Sequence, residues 1–226
     1  MTTAMRRYDL LIFDWDGTLM DSAGEIVAAM QEAIRDIGLP ARSDDQLRDL
    51  IGLGLHDSVA RLFPDLAPEQ VSRWLLAYRQ RYTAPHRQSL LFEPVRDTLA
   101  QLARDGHDMA VATGKSRRGL DRVLAQVDIG DYFRCTRCAD ETRPKPAPDM
   151  VEDILLRTAT QPARALVVGD TEYDMVMARD AGVDAVGVAC GVHDAGRLHA
   201  AGALTVLDSV GSLPDWLARS AGAVRV

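Results

Sequence analysis

Lysine is nearly missing from this chain. Of its 26 basic residues 24 are arginine, and only Lys115 and Lys145 are lysine. A chain that uses arginine wherever a generic positive charge will do marks its two lysines as places where a compact ammonium serves and a planar fork does not. Cysteine is scarce as well. Cys135, Cys138 and Cys190 are too few for a disulfide framework, so a reducing, cytoplasmic setting is the default expectation. Long apolar runs are lacking: none approaches the roughly 20 residues that span a bilayer, and the run between Asp9 and Asp14 is too short for a secretion signal. An excess of positive charge is lacking too. A net charge of -7 argues against nucleic acid or an anionic membrane as the main partner. A small anionic ligand stays open, because local charge governs a site.

With 226 residues, 47% apolar and 26% charged, the chain can build one sizeable core, or a core that carries a smaller insertion. An apolar strand over roughly residues 8–14 comes first, and about seventy residues of helical periodicity follow. Ser22-Ala23-Gly24-Glu25 has the form of a capping box before a helix with Ile26, Met30, Ile34 and Ile37 on one face, ended by Gly38 and Pro40. Ser43-Asp44-Asp45-Gln46 repeats the pattern. A short segment stops at Pro64, and Val71, Trp74, Leu75, Tyr78 and Tyr82 mark a longer helix that ends before Pro85. No strand-like alternation occurs between residues 20 and 90, so this region reads as a helical insertion. From residue 93 the rhythm changes. Pro94 and Pro148 each open a helix, and "MAVAT" (109–113), "YFRCTRCAD", "ALVVGD" (165–170), "AVGVA" and "ALTVL" read as short strands between helices. This alternation predicts an α/β fold, a Rossmann-like parallel sheet covered on both faces.

In such a sheet ligands bind beyond the carboxyl ends of the strands. Asp14 and Asp16 fall there after the first strand, Thr113-Gly114 after "MAVA", and Asp170 after "ALVVG", while Lys145 lies in the proline-stiffened loop "RPKPAP". Carboxylates gathered on one spot repel by roughly 4 kcal/mol per pair at 4 Å and an effective dielectric of 20. Such a cluster is tolerable around a divalent cation, and an oxygen-only ligand set favours Mg²⁺. A lysine would neutralise a further charge, and a threonine hydroxyl with backbone N–H groups would hold phosphate oxygens. One carboxylate can attack phosphorus, and a second two residues on can protonate the leaving oxygen and then activate water. Gly17 lets the backbone turn sharply enough for both acids to face one cavity.

The segments "DWDGT", "ATGKS", "RPKPAPD" and "GDTEYDM" resemble the four motifs of the haloacid dehalogenase superfamily, in order and at suitable spacing, over nearly the whole chain. The resemblance implies a core at residues 1–19 and 88–226 and an all-helical cap at 20–87. It also implies roles: Asp14 as nucleophile, Asp16 as acid and base, Thr113 and Gly114 as phosphate ligands, and Lys145 bridging Asp14 and the phosphate. Mg²⁺ would be bound by Asp14, Asp170 and the backbone carbonyl of Asp16, with Asp174 supporting the metal shell. Asp16 points away from the dehalogenases, which lack it, and toward phosphoryl transfer. The insertion has no lysine, unlike the phosphonatases, which use one there. The phosphoglycolate-phosphatase-like branch is the nearest match, which makes a small phosphorylated metabolite the expected partner. β-Phosphoglucomutases are the closest alternative and a non-catalytic phosphate-binding protein the third, though the presence of both aspartates counts against that last one. Monomer and homodimer are equally compatible with the sequence.

Other residues invite plainer readings. Lys115 could line the phosphate site, but a solvated lysine near a helix start is favoured. Glu172 reads as an acid in the first turn of a helix. Cys135 and Cys138 have CxxC spacing with no second pair, so two ordinary strand cysteines are expected rather than a zinc or redox site. Trp74, Tyr78 and Tyr82 read as core. "GLGLHD" around His56 is the most site-like part of the insertion, because two glycines make a loop that can approach the core. Arg61 and Arg87 could each meet a second anionic group on a substrate.

Overall fold

Leu10, Leu11, Ile12 and Phe13 follow one another with no polar face to offer water, so a strand made of them must be covered on both sides. The computed structural model describes residues 6–84 and 89–221 and buries all four completely. The strands in chain order are β1 (Leu10–Phe13), β2 (Met20–Asp21), β3 (Leu90–Leu91), β4 (Asp108–Thr113), β5 (Cys135–Cys138), β6 (Ala165–Gly169), β7 (Asp184–Val188) and β8 (Val206–Leu207). Six of them form one parallel sheet in the order β5-β4-β1-β6-β7-β8. The chain builds outward from β1 through β4 to β5, then crosses back to the other side of β1 with β6. The reversal falls beside β1, so the carboxyl ends of β4, β1 and β6 flank one crevice.

Each face of the sheet has its own core. Leu11 and Phe13 point into a cluster completed by helices α5 (Val95–Arg104), α6 (Arg117–Val127) and α10 (Leu213–Ala221). Leu10 and Ile12 point the other way, into a cluster completed by α7 (Asp149–Thr158), α8 (Glu172–Asp180) and α9 (Ala195–Ala201). Full burial of one such side chain contributes roughly 1.5–3 kcal/mol, and the alternation of β1 spreads that gain over both faces. Cys135 and Cys138 show the same alternation: Cys138 is buried in the first cluster and Cys135 packs on the second. They lie on opposite faces of β5, where they cannot share one ion.

Between β2 and β3 the described residues form four helices, α1 (Ala23–Asp36), α2 (Asp44–Arg48), α3 (Leu55–Leu62) and α4 (Pro68–Tyr82). They enclose a third cluster built on Ile26, Met30, Ile34, Leu47, Val59 and Trp74, and Tyr173 of α8 joins it from the sheet side. No described helix is long and apolar enough to cross a membrane. Two local expectations need correction. The stretch from 20 to 90 is framed by strand: β2 and β3 pair antiparallel, Met20 with Leu91 and Asp21 with Leu90. Two residues are too few for alternation to register in sequence. Ser22 does precede α1, but its hydroxyl makes no capping bond. The box at Ser43 forms as expected, with Gln46 N–H donating to Ser43 Oγ and Ser43 N–H to Gln46 Oε1.

Candidate active site

The end of β1 turns at once. Asp14 N–H still donates to Val168 O in the sheet at 2.9 Å, after which Leu19 and Met20 N–H both fold back to Trp15 O at 3.0 and 2.9 Å. Gly17 makes the turn possible. Its φ is +85°, and a Cβ there would lie 2.2 Å from Asp170 Oδ2. The turn leaves Asp14 and Asp16 buried and brings Thr18 to Asp170, whose Oδ1 accepts from Thr18 Oγ1 at 2.8 Å. Val192 N–H donates to the other oxygen of Asp170 at 2.9 Å.

Lys145 sits at the centre. It has no exposed surface, and its Nζ donates to Asp14 Oδ1 and to Asp174 Oδ1, both at 2.6 Å. Asp174 caps its own helix as well: Asp174 Oδ2 accepts from Thr171 N–H at 3.1 Å and from Thr171 Oγ1 at 2.7 Å. Asp14, Asp170 and Asp174 each bring a carboxylate oxygen within 4.8 Å of the others. Thr113 ends β4, the strand next to β1, and is wholly buried, with Oγ1 accepting from Lys115 N–H at 3.1 Å. Gly114 lies beneath the helical insertion, where a Cβ would be 2.7 Å from the carbonyl oxygens of Gly52 and Leu53. The "GLG" loop thus does meet the core, though His56 beside it is exposed.

The electrostatics follow from this crowding. Burial pushes the Asp14 carboxyl up, the Lys145 ammonium pulls it back and Asp174 adds to the rise, leaving it at about 7. Asp170 is raised by burial and then by Asp14 and Asp174. Burial opposes the charge of Lys145, yet Asp14 and Asp174 hold it above the ordinary lysine range. With Asp16 included, four carboxylates face two ammonium groups. Asp14 Oδ2 is buried with no hydrogen-bond partner. An excess of negative charge and all-oxygen donors suit a hard divalent cation.

Lys115 departs from expectation. It is no solvated surface lysine. Its side chain is 8% exposed, and Nζ lies 2.9 Å from Asp16 Oδ1 and donates to Tyr82 Oη at 2.9 Å. Ser22 Oγ donates to the same oxygen of Asp16 at 2.5 Å. Ser22, Thr18 and Tyr82 are therefore site residues that motif reading passed over. The scarcity of lysine was the signal available for Lys115; nothing in the local pattern distinguished Ser22 from a helix cap. Glu172 is indeed in the first turn of α8, paired with Arg197 at 2.6 Å. Arg61 reaches Tyr173 Oη at 3.3 Å rather than the acid cluster, and Arg87 lies outside the described residues.

A doubly wound sheet with an acid and lysine cluster at the reversal of its strand order is the architecture of an α/β enzyme. The chain belongs to the haloacid dehalogenase-like hydrolases, whose sequence model matches residues 11–188. It is 33% identical over 207 residues to the "Probable phosphatase IndB" of Dickeya dadantii, covering 88% of this chain and 89% of that protein. It is 34% identical over 189 residues to the "Phosphoglycolate phosphatase" of Pectobacterium atrosepticum, covering 80% of each. Among solved structures, a hydrolase from Pseudomonas syringae superposes with a TM-score of 0.84 at 26% identity, covering 93% of this chain and 98% of that one.

Proposed function

We propose that the chain is a Mg²⁺-dependent phosphatase that hydrolyses a small phosphomonoester through an aspartyl-phosphate on Asp14. The observation that carries this reading is the unpartnered, buried Asp14 Oδ2 beside a carboxylate that Lys145 holds in place. One oxygen of Asp14 is fixed and the other is free to attack. In the first step Asp14 Oδ2 bonds to phosphorus, the ester P–O bond breaks, and the Asp16 carboxyl gives its proton to the leaving oxygen. In the second, water attacks the acyl phosphate, Asp16 takes the water's proton, and phosphate departs from a regenerated Asp14. Thr113 and the N–H of Gly114 hold the phosphate oxygens, and Lys145 bridges them to Asp14. Mg²⁺ would be held by Asp14, Asp170 and the carbonyl of Asp16, with Asp174 behind it, and would offset the charge of the phosphoryl group when bound.

Residues 20–87 act as a cap over the core formed by residues 1–19 and 88–226, excluding water and selecting the substrate. The contact of the Gly52–Leu53 loop with Gly114 supports this role. Phosphoglycolate is the first substrate to try, given the relative so named. A phosphate-release assay over a panel of phosphorylated metabolites, with and without EDTA, tests the proposal. Release should depend on Mg²⁺ and should fall by about three orders of magnitude or more in Asp14→Asn, with the far-UV circular dichroism unchanged. Phosphate returned to the substrate as an isomer, with little release, would make the enzyme a phosphomutase instead. Substantial activity in Asp14→Asn would remove the nucleophile.

A further inference from the structure

Lys115 joins two parts of the chain that are far apart in sequence. Its Nζ lies 2.9 Å from Asp16 Oδ1 and donates to Tyr82 Oη at 2.9 Å, 4.8 Å from the centre of that ring. Lys115 follows β4 in the core, whereas Tyr82 is the last residue of α4 in the helical insertion. Tyr82 is not a loose end. Trp74, Tyr78 and Tyr82 recur every fourth residue and stack, with 5.6 Å between successive ring centres and interplanar angles of 13° and 8°. Trp74 is fully buried among the apolar residues of the insertion. The three rings form a stiff arm, rooted in the insertion and ending at Lys115.

We propose that Tyr82 is a positioning residue: it seats the Lys115 ammonium on Asp16 and so fixes the carboxyl that moves the proton in the phosphatase reaction above. The inference rests on that reading of Asp16. A lysine on a flexible four-carbon stem has many places to go. With Asp16 on one side and Tyr82 on the other, its ammonium is confined to one, and the position of the insertion is tied to the geometry of the acid. The consequence depends on the leaving group. An alkoxide needs the proton that Asp16 supplies, whereas p-nitrophenolate departs without one.

The lysine poverty of the chain provides a direct readout, since only Lys115 and Lys145 carry a side-chain amine. Acylation of the Mg²⁺-loaded protein by a small amine-reactive ester, mapped by mass spectrometry, reports each lysine separately. Tyr82→Phe keeps the stack and removes only the acceptor oxygen. Lys115 acylation should rise about tenfold, as for the loss of one hydrogen bond to a charged group, with Lys145 unchanged. In the same variant kcat/KM for an alkyl phosphate should fall about tenfold and that for p-nitrophenyl phosphate by less than about threefold. Lys115→Met should show the same bias, and Tyr82→Phe/Lys115→Met should be no worse than Lys115→Met alone. Should Lys115→Met fail to fold, the labelling and ester comparison in Tyr82→Phe decide by themselves. Unchanged Lys115 labelling, equal losses on both esters, or losses that multiply in the double variant would each overturn the proposal. If the wild type hydrolyses neither ester, the phosphatase reading falls, while the labelling still decides whether Tyr82 holds Lys115.

Discussion

Asp170 is held by two hydrogen bonds and repelled by its neighbours. Thr18 Oγ1 and Val192 N–H each satisfy one oxygen, yet burial and the charges of Asp14 and Asp174 all work against its ionised form. Replacing it by asparagine removes a repelled charge and keeps both contacts, because the amide oxygen can accept from Val192 N–H while the NH₂ donates to Thr18 Oγ1. In EDTA near pH 8, Asp170→Asn should therefore be more stable than the wild type by about 1–2 kcal/mol in urea unfolding. With Mg²⁺ the order should reverse, since a cation that binds only the folded wild type stabilises it by mass action. A variant less stable than wild type in EDTA would mean that the cluster is already balanced without a cation. The same crowding shows which residues could be read in advance. Asp14, Asp16, Thr113, Gly114, Lys145 and Asp170 stand at strand ends or in motif loops, positions where a ligand rather than the core gives such residues something to bind, and Asp174 stands in the first turn of α8 just beyond Asp170. Lys115 also follows a strand, but a lysine near a helix start has an ordinary reading on the surface. Only the partner carboxylate, 99 residues earlier in the chain, makes it a buried one.

At the level of the element, Ser22 and Ser43 present one local pattern with two outcomes. Both precede a helix, and both are followed three residues later by Glu or Gln. Ser43 caps α2 through Gln46. The hydroxyl of Ser22 turns inward and donates to Asp16 instead, and α1 begins without a side-chain cap. A capping box describes what a serine can do locally, and here a carboxylate across the turn competes for the same hydroxyl. Ser43→Ala should cost about 1 kcal/mol of stability, the usual value of a lost cap, and leave kcat/KM unchanged. Ser22→Ala should do nearly the reverse. With one of the two donors to Asp16 Oδ1 gone, kcat/KM should fall by about tenfold, the effect of one hydrogen bond to a charged group, with little loss from capping. Urea unfolding and steady-state kinetics on both variants check the contrast, and equal behaviour would return Ser22 to an ordinary helix start. Periodicity located the long helices and buried strands well for the same local reasons. It missed the ribbon of β2 and β3, because two paired residues carry no period of their own and their partners are 69 and 71 residues away.

Across the whole molecule the two ends of the sheet have opposite electrostatics. At the carboxyl ends, acids gather with too few cations. At the amino ends nearly every strand starts from a matched pair: Arg164 with Asp9 at 2.7 Å, Arg7 with Asp184 at 3.0 Å, and Arg134 with Asp108 at 2.5 Å. These pairs are partly exposed, and each contributes about 0–1 kcal/mol. They anchor the base of the sheet without bearing on the chemistry. His107, which leads into β4, belongs to that base, and its Nδ1 is buried without a partner. Burial, and then the nearby Arg6 guanidinium, hold its imidazole below the usual 6.5. Above that pH the folded and unfolded chains both carry it neutral, and it has no effect on the pH dependence of stability. Below it the unfolded chain takes up a proton that the folded chain refuses. Stability therefore drains away as the pH drops from about 6.5 and levels off beneath the folded value. His193, lowered by burial and then by Arg197, acts in the same direction, so His107→Gln removes the share of His107 and leaves that of His193. The urea midpoint of that variant should fall less than that of the wild type between about pH 7.5 and about pH 5.5. Because the carboxylates titrate alike in both proteins, the difference between the two curves isolates His107. Parallel curves would mean that His107 titrates in the fold as it does in water. Turnover near pH 7.5 should match the wild type, since His107 and the acid cluster stand at opposite ends of the sheet.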